Sequence, residues 1–231
     1  LVTGVVDDAR DMRSTSKLFL QAVAATLVVA WGGQALDHLA YLPLFGDVIL
    51  GPWAVPVTLF ALVGLVNAVN MLDGLDGLVG GVVFVVLGWL AYIALLEQAL
   101  VLSLIVALMG AVAGFLAFNL RLPWRGRASV FLGDAGSMSL GLAVGWFVID
   151  LSQRPAAVVS PVAYGWVLAL PVMDTLSLMV RRVLKGQSPF AADREHLHHI
   201  FLRAGYTPGQ TSAILIAIAA GLGAVGVLGS L

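Results

Sequence analysis

The stretch Val55–Gly77, VPVTLFALVGLVNAVNMLDGLDG, joins an apolar run to regularly spaced polar residues. Its first part, Val55–Val66, has the composition of a membrane-spanning helix. Four polar residues then follow at intervals of three: Asn67, Asn70, Asp73 and Asp76. Residues three or four apart share a helix face, so the asparagines predict a polar stripe at the end of an apolar helix. Gly74 and Gly77 are expected to loosen the helix where the carboxylates begin.

The composition of the whole chain supports a membrane location. The 231 residues are 60% hydrophobic and 11% charged, whereas soluble domains carry about 25% charged residues. We therefore predict an integral membrane protein that has the lipid bilayer as a partner. The chain contains no cysteine, which excludes a disulfide framework and a thiolate zinc site. The net charge of −1 gives no indication of a partner, and no nucleic acid is expected.

Seven apolar segments approach the roughly 20 residues that a spanning helix needs. They are residues 18–36, 54–72, 78–96, 99–118, 137–151, 156–180 and 209–231. The fifth is short, so the loop before it is expected to dip toward the membrane. The connection 37–53 contains proline, glycine and aromatic residues and is expected at the membrane interface. The pattern predicts an all-α, polytopic helical bundle that forms one membrane-embedded domain, residues 1–231.

The basic residues are distributed asymmetrically between the predicted loops. If residues 1–17 are cytoplasmic, alternation of the spans places 72–77, 119–136 and 181–208 on the same side. These segments carry eleven of the twelve Lys and Arg residues, and only Arg154 lies opposite. Positive charge marks the cytoplasmic side of membrane proteins. The polar stripe is therefore predicted to end at the cytoplasmic face.

Two more acidic motifs lie on this face. Asp7 and Asp8 are adjacent carboxylates, which can hold a hard cation or supply a base. They also fit the solvated start of a helix, where Asp is favoured. Asp134 lies between glycines in Phe131–Ser137, FLGDAGS, where the backbone can approach a phosphate and the carboxylate can ligate its cation. The alternative for Asp134 is a helix N-cap with turn glycines.

The stretch Ser188–His199, SPFAADREHLHH, adds imidazoles and a guanidinium. Its candidate phosphate or nucleotide contacts are Arg194, His196, His198 and His199. An exposed amphipathic loop helix is the alternative, and the His-x-His-His spacing lacks a defined zinc geometry. Asp174 lies inside the sixth span, where a carboxylate has either a functional or a helix-packing role.

Acids, bases and glycine turns on one membrane face suit phosphate chemistry with a divalent metal. One substrate would arrive from the cytoplasm and the other from the bilayer. A transporter or flippase is the rival hypothesis, with Asp174 and the asparagine stripe as a path. Such a path predicts polar residues near the bilayer midplane in several spans. The concentration of polar residues at one face favours the enzyme.

The four motifs resemble those of the polyprenyl-phosphate N-acetylhexosamine-1-phosphate transferases in order and spacing. The matching stretches are Gly4–Asp8 (GVVDD), Asn67–Gly77 (NAVNMLDGLDG), Phe131–Ser137 (FLGDAGS) and Ser188–Gly205 (SPFAADREHLHHIFLRAG). The resemblance covers essentially the whole chain and is strongest to the branch that makes undecaprenyl-pyrophosphate-linked GlcNAc. It implies ten or eleven helices in a complete member, with further spans expected before the acidic pair.

The resemblance implies the reaction of UDP-GlcNAc with undecaprenyl phosphate to give undecaprenyl-diphospho-GlcNAc and UMP. This is the first membrane step of a cell-surface polysaccharide at the bacterial inner membrane. Mg²⁺, with Mn²⁺ as a substitute, would bridge the diphosphate. UDP-GalNAc, a UDP-diamino sugar and UDP-MurNAc-pentapeptide are alternative donors. Direct transfer and a two-step route through an aspartyl intermediate both fit, and the Gly/Ala-rich last span is compatible with a homo-oligomer.

The resemblance also implies a role for each matching residue. The implied catalytic residues are Asp7, Asp8, Asp73 and Asp76. The implied metal contacts are Asn70 and Asp134. The implied substrate contacts are Asn67, Lys17, Arg194, His196, His198 and His199.

Overall fold

The computed structural model describes residues 1–10, 12–42, 46–121, 124–155, 157–188 and 196–231. Within these residues the chain forms α-helices, one β-hairpin and a 3-10 turn. The helices are α1 Val2–Arg10, α2 Ser14–Gly32, α3 Ala54–Met71, α4 Leu78–Leu96, α5 Leu102–Asn119, α6 Gly133–Ser152, α7 Pro161–Val167, α8 Ala169–Leu184, α9 Leu197–Arg203 and α10 Pro208–Leu228. The strands are β1 His38–Leu42 and β2 Gly46–Ile49, and the 3-10 turn is Gly51–Trp53. The predicted contact Arg194 lies outside the described residues.

The helices confirm an all-α integral membrane bundle. In the described part of the chain, six helices are long and apolar enough to cross a membrane: α2, α3, α4, α5, α6 and α10. Together, α7 and α8 account for the predicted sixth span, but they are bent by 73°. The sixth apolar segment, residues 156–180, therefore contains two helices that meet at a bend. Pro171 explains the break, because it has no N–H with which to continue α7 and sits instead in the first turn of α8.

The helix α4 lies at the centre of the bundle and α2 at its edge. Eleven residues of α4 are buried, whereas only Gln21 and Ala25 are buried in α2. A buried glutamine on an otherwise exposed apolar helix indicates a polar interior at that level. The edge helix therefore directs its polar side chain toward α3 and α6.

Small residues bring α3 and α6 close together. A Cβ at Gly141 would lie 2.9 Å from the Cα of Val66, and one at Gly145 would lie 2.6 Å from a methyl of Leu62. Glycine at both positions allows the two backbones to approach closely. Because of this approach, the asparagine stripe at the end of α3 lies beside the start of α6.

The glycines of α10 also serve contacts within the chain. A Cβ at Gly226 would lie 2.9 Å from the carbonyl oxygen of Ala163, and Gly223 packs on the indole of Trp89. Thr207 caps α10, since its hydroxyl accepts from the Gln210 N–H at 3.3 Å. Part of the small-residue surface of α10 is thus occupied by α4 and α7, and a homo-oligomer stays a prediction.

One local expectation was wrong, and the connection 37–53 contains an element that the sequence did not predict. The connection 37–53 contains an antiparallel hairpin, and the side chain of Gln153 at the end of α6 accepts from the backbone N–H groups of Asp37 and His38 at 3.0 Å each. The fifth span begins at Gly133 and not at Ser137. Asp134 therefore lies in the first turn of α6, so the loop need not dip to complete the span.

Candidate active site

The site begins at a close contact between α1 and the first turn of α6. Any Cβ at Gly4 would collide with the backbone of Ala135, and it would lie 2.7 Å from the carbonyl carbon of Asp134. Only glycine allows this approach. The GVVDD and FLGDAGS motifs are distant in sequence, but their backbones are thus in direct contact.

The carboxylate of Asp8 caps the N-terminus of α6 from outside the helix. Its two oxygens accept from the N–H groups of Asp134 at 2.9 Å and Ala135 at 3.1 Å. These are donors that the helix itself leaves unpaired, and the helix dipole favours a negative charge there. Gly133 has φ of +65° and a Cβ there would lie 2.9 Å from the Asp8 carboxylate. This explains the glycine before Asp134.

Lys17 of α2 links two of the carboxylates. Its ammonium donates to Asp134 Oδ2 at 3.0 Å and forms an ion pair with Asp7. The other oxygen of Asp7 accepts from the N–H of Met12 at 2.7 Å. Burial opposes ionisation of Asp7, but the hydrogen bonds from Lys17 and Met12 and the positive charge of Lys17 outweigh it and lower the pKa of Asp7 to about 2. Asp7 is therefore ionised at neutral pH.

The asparagine stripe orients the other side of Asp134. The amide of Asn70 donates to Asp134 Oδ1 and to the hydroxyl of Ser137, both at 2.9 Å. One turn earlier, the Asn67 amide donates to Gln21 Oε1 at 2.7 Å. Each oxygen of Asp134 thus has a partner on a different helix, which fixes its direction. We call Asp7, Asp8, Lys17, Asn70 and Asp134 the acidic half of the site.

Asp76 holds a loop. Its carboxylate accepts from Arg121 Nε at 2.9 Å and from the N–H of Ala128 at 3.2 Å. Asn119 reinforces the same loop, since it accepts from the Gly77 N–H and donates to the carbonyl of Val130, both at 2.7 Å. Asp76 thus anchors the segment that leads into α6.

Asp73 differs from Asp76 although the motif repeats. It is exposed at the mouth of the site, and its carboxylate has no hydrogen-bond partner in the described ranges. Partial desolvation raises its pKa, and the negative charges of Asp134, Asp8 and Asp76 raise it further, to about 6. Asp73 is thus a carboxylate available to a ligand and titratable near neutral pH.

A second polar group forms where α8 meets α9. Asp174 is 1% exposed. Its carboxylate accepts from His196 Nδ1 at 2.9 Å and from the N–H of Leu197 at 2.8 Å. Asp174 thus packs against a predicted site histidine, and its functional role stays a prediction. We call Asp174, His196 and His198 the histidine half.

His198 connects this half to the turn after α3. Its ring stacks on His196 with centroids 5.6 Å apart and planes 9° from parallel. A Cβ at Gly74 would lie 2.5 Å from His198 Nε2. Burial lowers the pKa of His198 to about 4, with a further contribution from neighbouring imidazoles, so the ring is neutral at pH 7. His199 lies beside it, at 4.2 Å between centroids.

The donor atoms of the acidic half suit a hard cation. Among the residues that the structure describes, no three His, Asp or Glu side chains form a metal-binding group. Mg²⁺ does not require such a cage, because proteins bind it through one or two carboxylates together with water and substrate phosphates. The carboxylate of Asp73, which has no partner among the described residues, and the oriented carboxylate of Asp134 fit that requirement.

The structure brings the predicted residues together in two groups. Asp7, Asp8, Lys17, Asn67, Asn70 and Asp134 lie together where α1, α2, α3 and α6 meet. His196, His198 and His199 lie together at α9, against the turn that follows α3. Asp73 lies between the groups, and Asp76 faces the loop. The catalytic and binding roles given to these residues stay predictions.

Sequence reasoning missed four polar side chains that shape the site: Gln21, Ser137, Asn119 and Arg121. Gln21 could have been found, because it lies one helical turn after Lys17 in an apolar span and so shares its face. Ser137 was quoted within its motif, but nothing in the motif indicated a bond to α3. The pairing of Arg121 with Asp76 required the path of the loop.

This arrangement defines an integral membrane protein with carboxylates, amides and imidazoles gathered at one end of the bundle. Residues 1–152 match the family model described as glycosyl transferase family 4. The chain belongs to glycosyl transferase family 4, which confirms the resemblance drawn from the motifs.

Three similar proteins share one name. The chain is 37% identical over 231 residues to the undecaprenyl-phosphate alpha-N-acetylglucosaminyl 1-phosphate transferase of Yersinia pestis, with 98% of this chain and 62% of the relative aligned. The chain is 35% identical over 234 residues to the protein of that name from Escherichia coli K12, and the alignment covers 97% of this chain and 61% of the relative. It is 34% identical over 230 residues to the protein of that name from Haemophilus influenzae, and the alignment covers 99% of this chain and 65% of the relative. The chain therefore spans less than two thirds of the length of these relatives.

Proposed function

We propose that the protein transfers GlcNAc-1-phosphate from UDP-GlcNAc to undecaprenyl phosphate, which gives undecaprenyl-diphospho-GlcNAc and UMP. The names of the relatives support the lipid and the sugar phosphate. The observation that carries the proposal is the seating of Asp134 at the start of α6, between Lys17 and Asn70. The names of these relatives favour GlcNAc over the other sugar nucleotides.

The charge balance at the site supports a divalent cation. The acidic half holds three carboxylates, those of Asp7, Asp8 and Asp134, and the carboxylate of Asp73 lies beside it, whereas Lys17 is the one ammonium that pairs there among the described residues. Both proposed substrates are anions as well. A nucleotide diphosphate and a lipid phosphate would repel each other and the site unless a cation lay between them. Mg²⁺ meets this need, and it supplies charge neutralisation and Lewis acidity when bound.

Asp73 and Asp134 are the residues that would hold Mg²⁺, with Asn70 orienting Asp134. Asp7 keeps Lys17 close to Asp134, and Lys17 is then placed to attract the lipid phosphate. Asp8 holds the start of α6 in place. His196 and His199 would contact the diphosphate or the sugar. His198 supports the turn that carries Asp73.

The reaction is proposed as a direct displacement. An oxygen of the lipid phosphate attacks the sugar-linked phosphorus of UDP-GlcNAc, the bond from that phosphorus to the bridging oxygen breaks, and UMP leaves with the bonding electrons. In Asp7, Asp8 and Asp134, both carboxylate oxygens already have a donor or ammonium partner. These pairings reduce the nucleophilicity of the three carboxylates, and Asp73 would hold Mg²⁺, so attack by the lipid phosphate is favoured over attack by one of these aspartates.

The site is proposed to face the cytoplasm from the bacterial inner membrane. The Lys and Arg asymmetry supports this orientation, and UDP-sugars are water-soluble. The lipid acceptor would reach the site laterally, from the bilayer. The reaction would then be the first membrane step of a cell-surface polysaccharide.

An assay in membranes tests the proposal. Membranes that contain the protein are incubated with undecaprenyl phosphate, Mg²⁺ and UDP-GlcNAc labelled in the sugar. We expect labelled lipid that depends on acceptor and is abolished by a chelator. UDP-GalNAc in place of UDP-GlcNAc is expected to give little product. Absence of lipid-linked product from every donor would overturn the proposal.

The direct route has its own measurement. UMP release is followed with UDP-GlcNAc and Mg²⁺ but without lipid acceptor, in detergent-purified protein. The direct route predicts no release above background until undecaprenyl phosphate is added. A stoichiometric burst of UMP, together with label on the protein, would establish an aspartyl intermediate instead.

A further inference from the structure

Asp174 is the most deeply buried carboxylate of the site and lies 22 residues before its partner His196. A buried ionised carboxylate is costly unless hydrogen bonds or a counter-charge compensate it. Here both oxygens are used, one by His196 Nδ1 at 2.9 Å and one by the Leu197 N–H at 2.8 Å. The two partners are adjacent in the chain. A single side chain of α8 therefore fixes the ring of His196 and the backbone that follows it.

These two bonds have different consequences. The bond to Leu197 satisfies an N–H at the start of α9 that the helix itself leaves unpaired, so it sets where α9 begins. The bond to His196 places a proton on Nδ1, because a carboxylate only accepts. The other ring nitrogen, Nε2, is then the one left for a ligand. His196 is 7% exposed and His198 is 3% exposed, so neither ring turns freely.

The contact extends from His196 to the acidic turn. His196 stacks on His198 with nearly parallel planes. His198 in turn lies on Gly74, where a side chain would meet its Nε2 at 2.5 Å. Gly74 follows Asp73, the exposed carboxylate at the mouth of the site. A continuous series of contacts thus runs from Asp174 in α8 to the turn after α3.

We propose that Asp174 is the positioning residue of the histidine half. It sets the tautomer of His196 and the start of α9, and it thereby seats His198 on the Asp73–Gly74 turn. Asp174 itself does not touch substrate in this assignment. The inference rests on the proposed function, because His196 acts there on the diphosphate of the donor.

The test is a double-mutant cycle with Asp174→Asn, His196→Ala and the double variant. Asparagine keeps the volume and can still accept from Leu197, but its NH₂ then faces His196 and moves the ring proton to Nε2. We expect kcat per folded protein to fall roughly 10- to 100-fold in Asp174→Asn, with little change in KM for UDP-GlcNAc. The double variant is expected to be no slower than His196→Ala alone.

Other outcomes separate the possible failures. If Asp174 only stabilises the fold, Asp174→Asn lowers the melting temperature, leaves kcat per folded protein unchanged and adds its effect to that of His196→Ala. Either unchanged kcat or additivity overturns the inference. Asp150→Asn is the matched control, since Asp150 also pairs inside a span, with Arg154 at 2.8 Å, and we expect its kcat to stay normal. A wild-type protein without transfer activity overturns the proposed function instead.

Discussion

The two halves of the site are held together by different means. The acidic half lies between long helices whose backbones touch, and its charges are paired across those helices. The histidine half depends on one buried carboxylate, a seven-residue helix and stacked rings. The first arrangement resists displacement because backbone would have to move. In the histidine half a displacement is passed on, because Asp174 contacts His196, His196 stacks on His198 and His198 contacts Gly74.

This difference predicts where a small change has a large effect. In the acidic half, the loss of one charge leaves the helices in place but alters the field at the reacting phosphates. In the histidine half, the loss of one contact moves the rings. The Asp73–Gly74 turn belongs to neither half and touches both, so its behaviour depends on both.

The largest effect is expected from Asp134→Asn. The amide keeps the size of the side chain but removes the charge that Lys17 and Asn70 orient. Removal of one preorganised electrostatic contact typically costs roughly 10²- to 10³-fold in kcat, and we expect at least that loss. Sugar transfer to lipid in membranes measures it, and the amount of inserted protein should be unchanged. Near-normal transfer would remove Asp134 from the site.

The next largest effect is expected from Gly4→Ala, which separates the backbones of the acidic half. The new methyl collides with the backbone of Ala135, so α1 has to move away from α6 and carry Asp7 and Asp8 with it. Misplacement of a group by about 1 Å can cost roughly 10²-fold.

Gly110→Ala in α5 is the matched control for Gly4→Ala, since nothing lies within 4 Å of a Cβ there. Alanine favours the helix, so the control is expected to keep full transfer activity. If both variants are fully active, the contact of α1 with α6 does not position the carboxylates.

A smaller effect is expected from pH. Since partial desolvation and neighbouring charges raise the pKa of Asp73 to about 6, its ionised form is lost below that pH. The lipid phosphate loses its second charge in a similar range, near pH 6. We expect kcat/KM of the wild type to fall below pH 6 with a slope approaching two. Asp73→Asn should be slower at pH 7 and retain a slope of about one. An unchanged slope would show that Asp73 does not titrate in the reaction.

The carboxyl of Asp73 affects the stability of the fold with the opposite pH dependence: activity falls at low pH, whereas stability rises. Its folded pKa is raised above the ordinary 3.8, so the folded state prefers the protonated form. That contribution to stability is fully present below pH 3.8 and is lost as the pH rises through about 6. Asp73→Asn should therefore melt at a higher temperature than the wild type at pH 7, with the difference disappearing near pH 4. The ionised carboxylate of Asp73 would then lower the stability of the fold at pH 7 while it supports transfer.

The sequence predicted the parts of this molecule that depend on local pattern. Apolar length gave the spans, and α4 begins and ends where expected, at Leu78 and Leu96. The gathering of the acidic motifs at one end followed from the alternation of spans. The bend between α7 and α8 did not follow, because Pro171 is compatible with a kinked helix as well as with a new one.

Other features depend on contacts that no local pattern contains. The spacing treats Asp73 and Asp76 alike, but the end of α3 turns one toward the mouth and the other toward Arg121. Asp8 was expected to serve a cation or a base, and its place on the amides of α6 is set by the packing of Gly4. The link from Asp174 to His196 requires the bent pair of helices. Long-range packing thus decided which of the predicted acids remained unpaired.

The smallest effect, and the sharpest comparison of the halves, is expected from Gly74→Ala. Its methyl would lie 2.5 Å from His198 Nε2. A side-chain ring can shift more easily than the backbone that Gly4→Ala would meet, so we expect only a several-fold loss of kcat. Gly64→Ala is the control, with nothing within 4 Å of its Cβ. In a His198→Ala background the ring is gone, and Gly74→Ala should then have no further effect. A full additional loss in that background would mean that the turn acts independently of the histidine half.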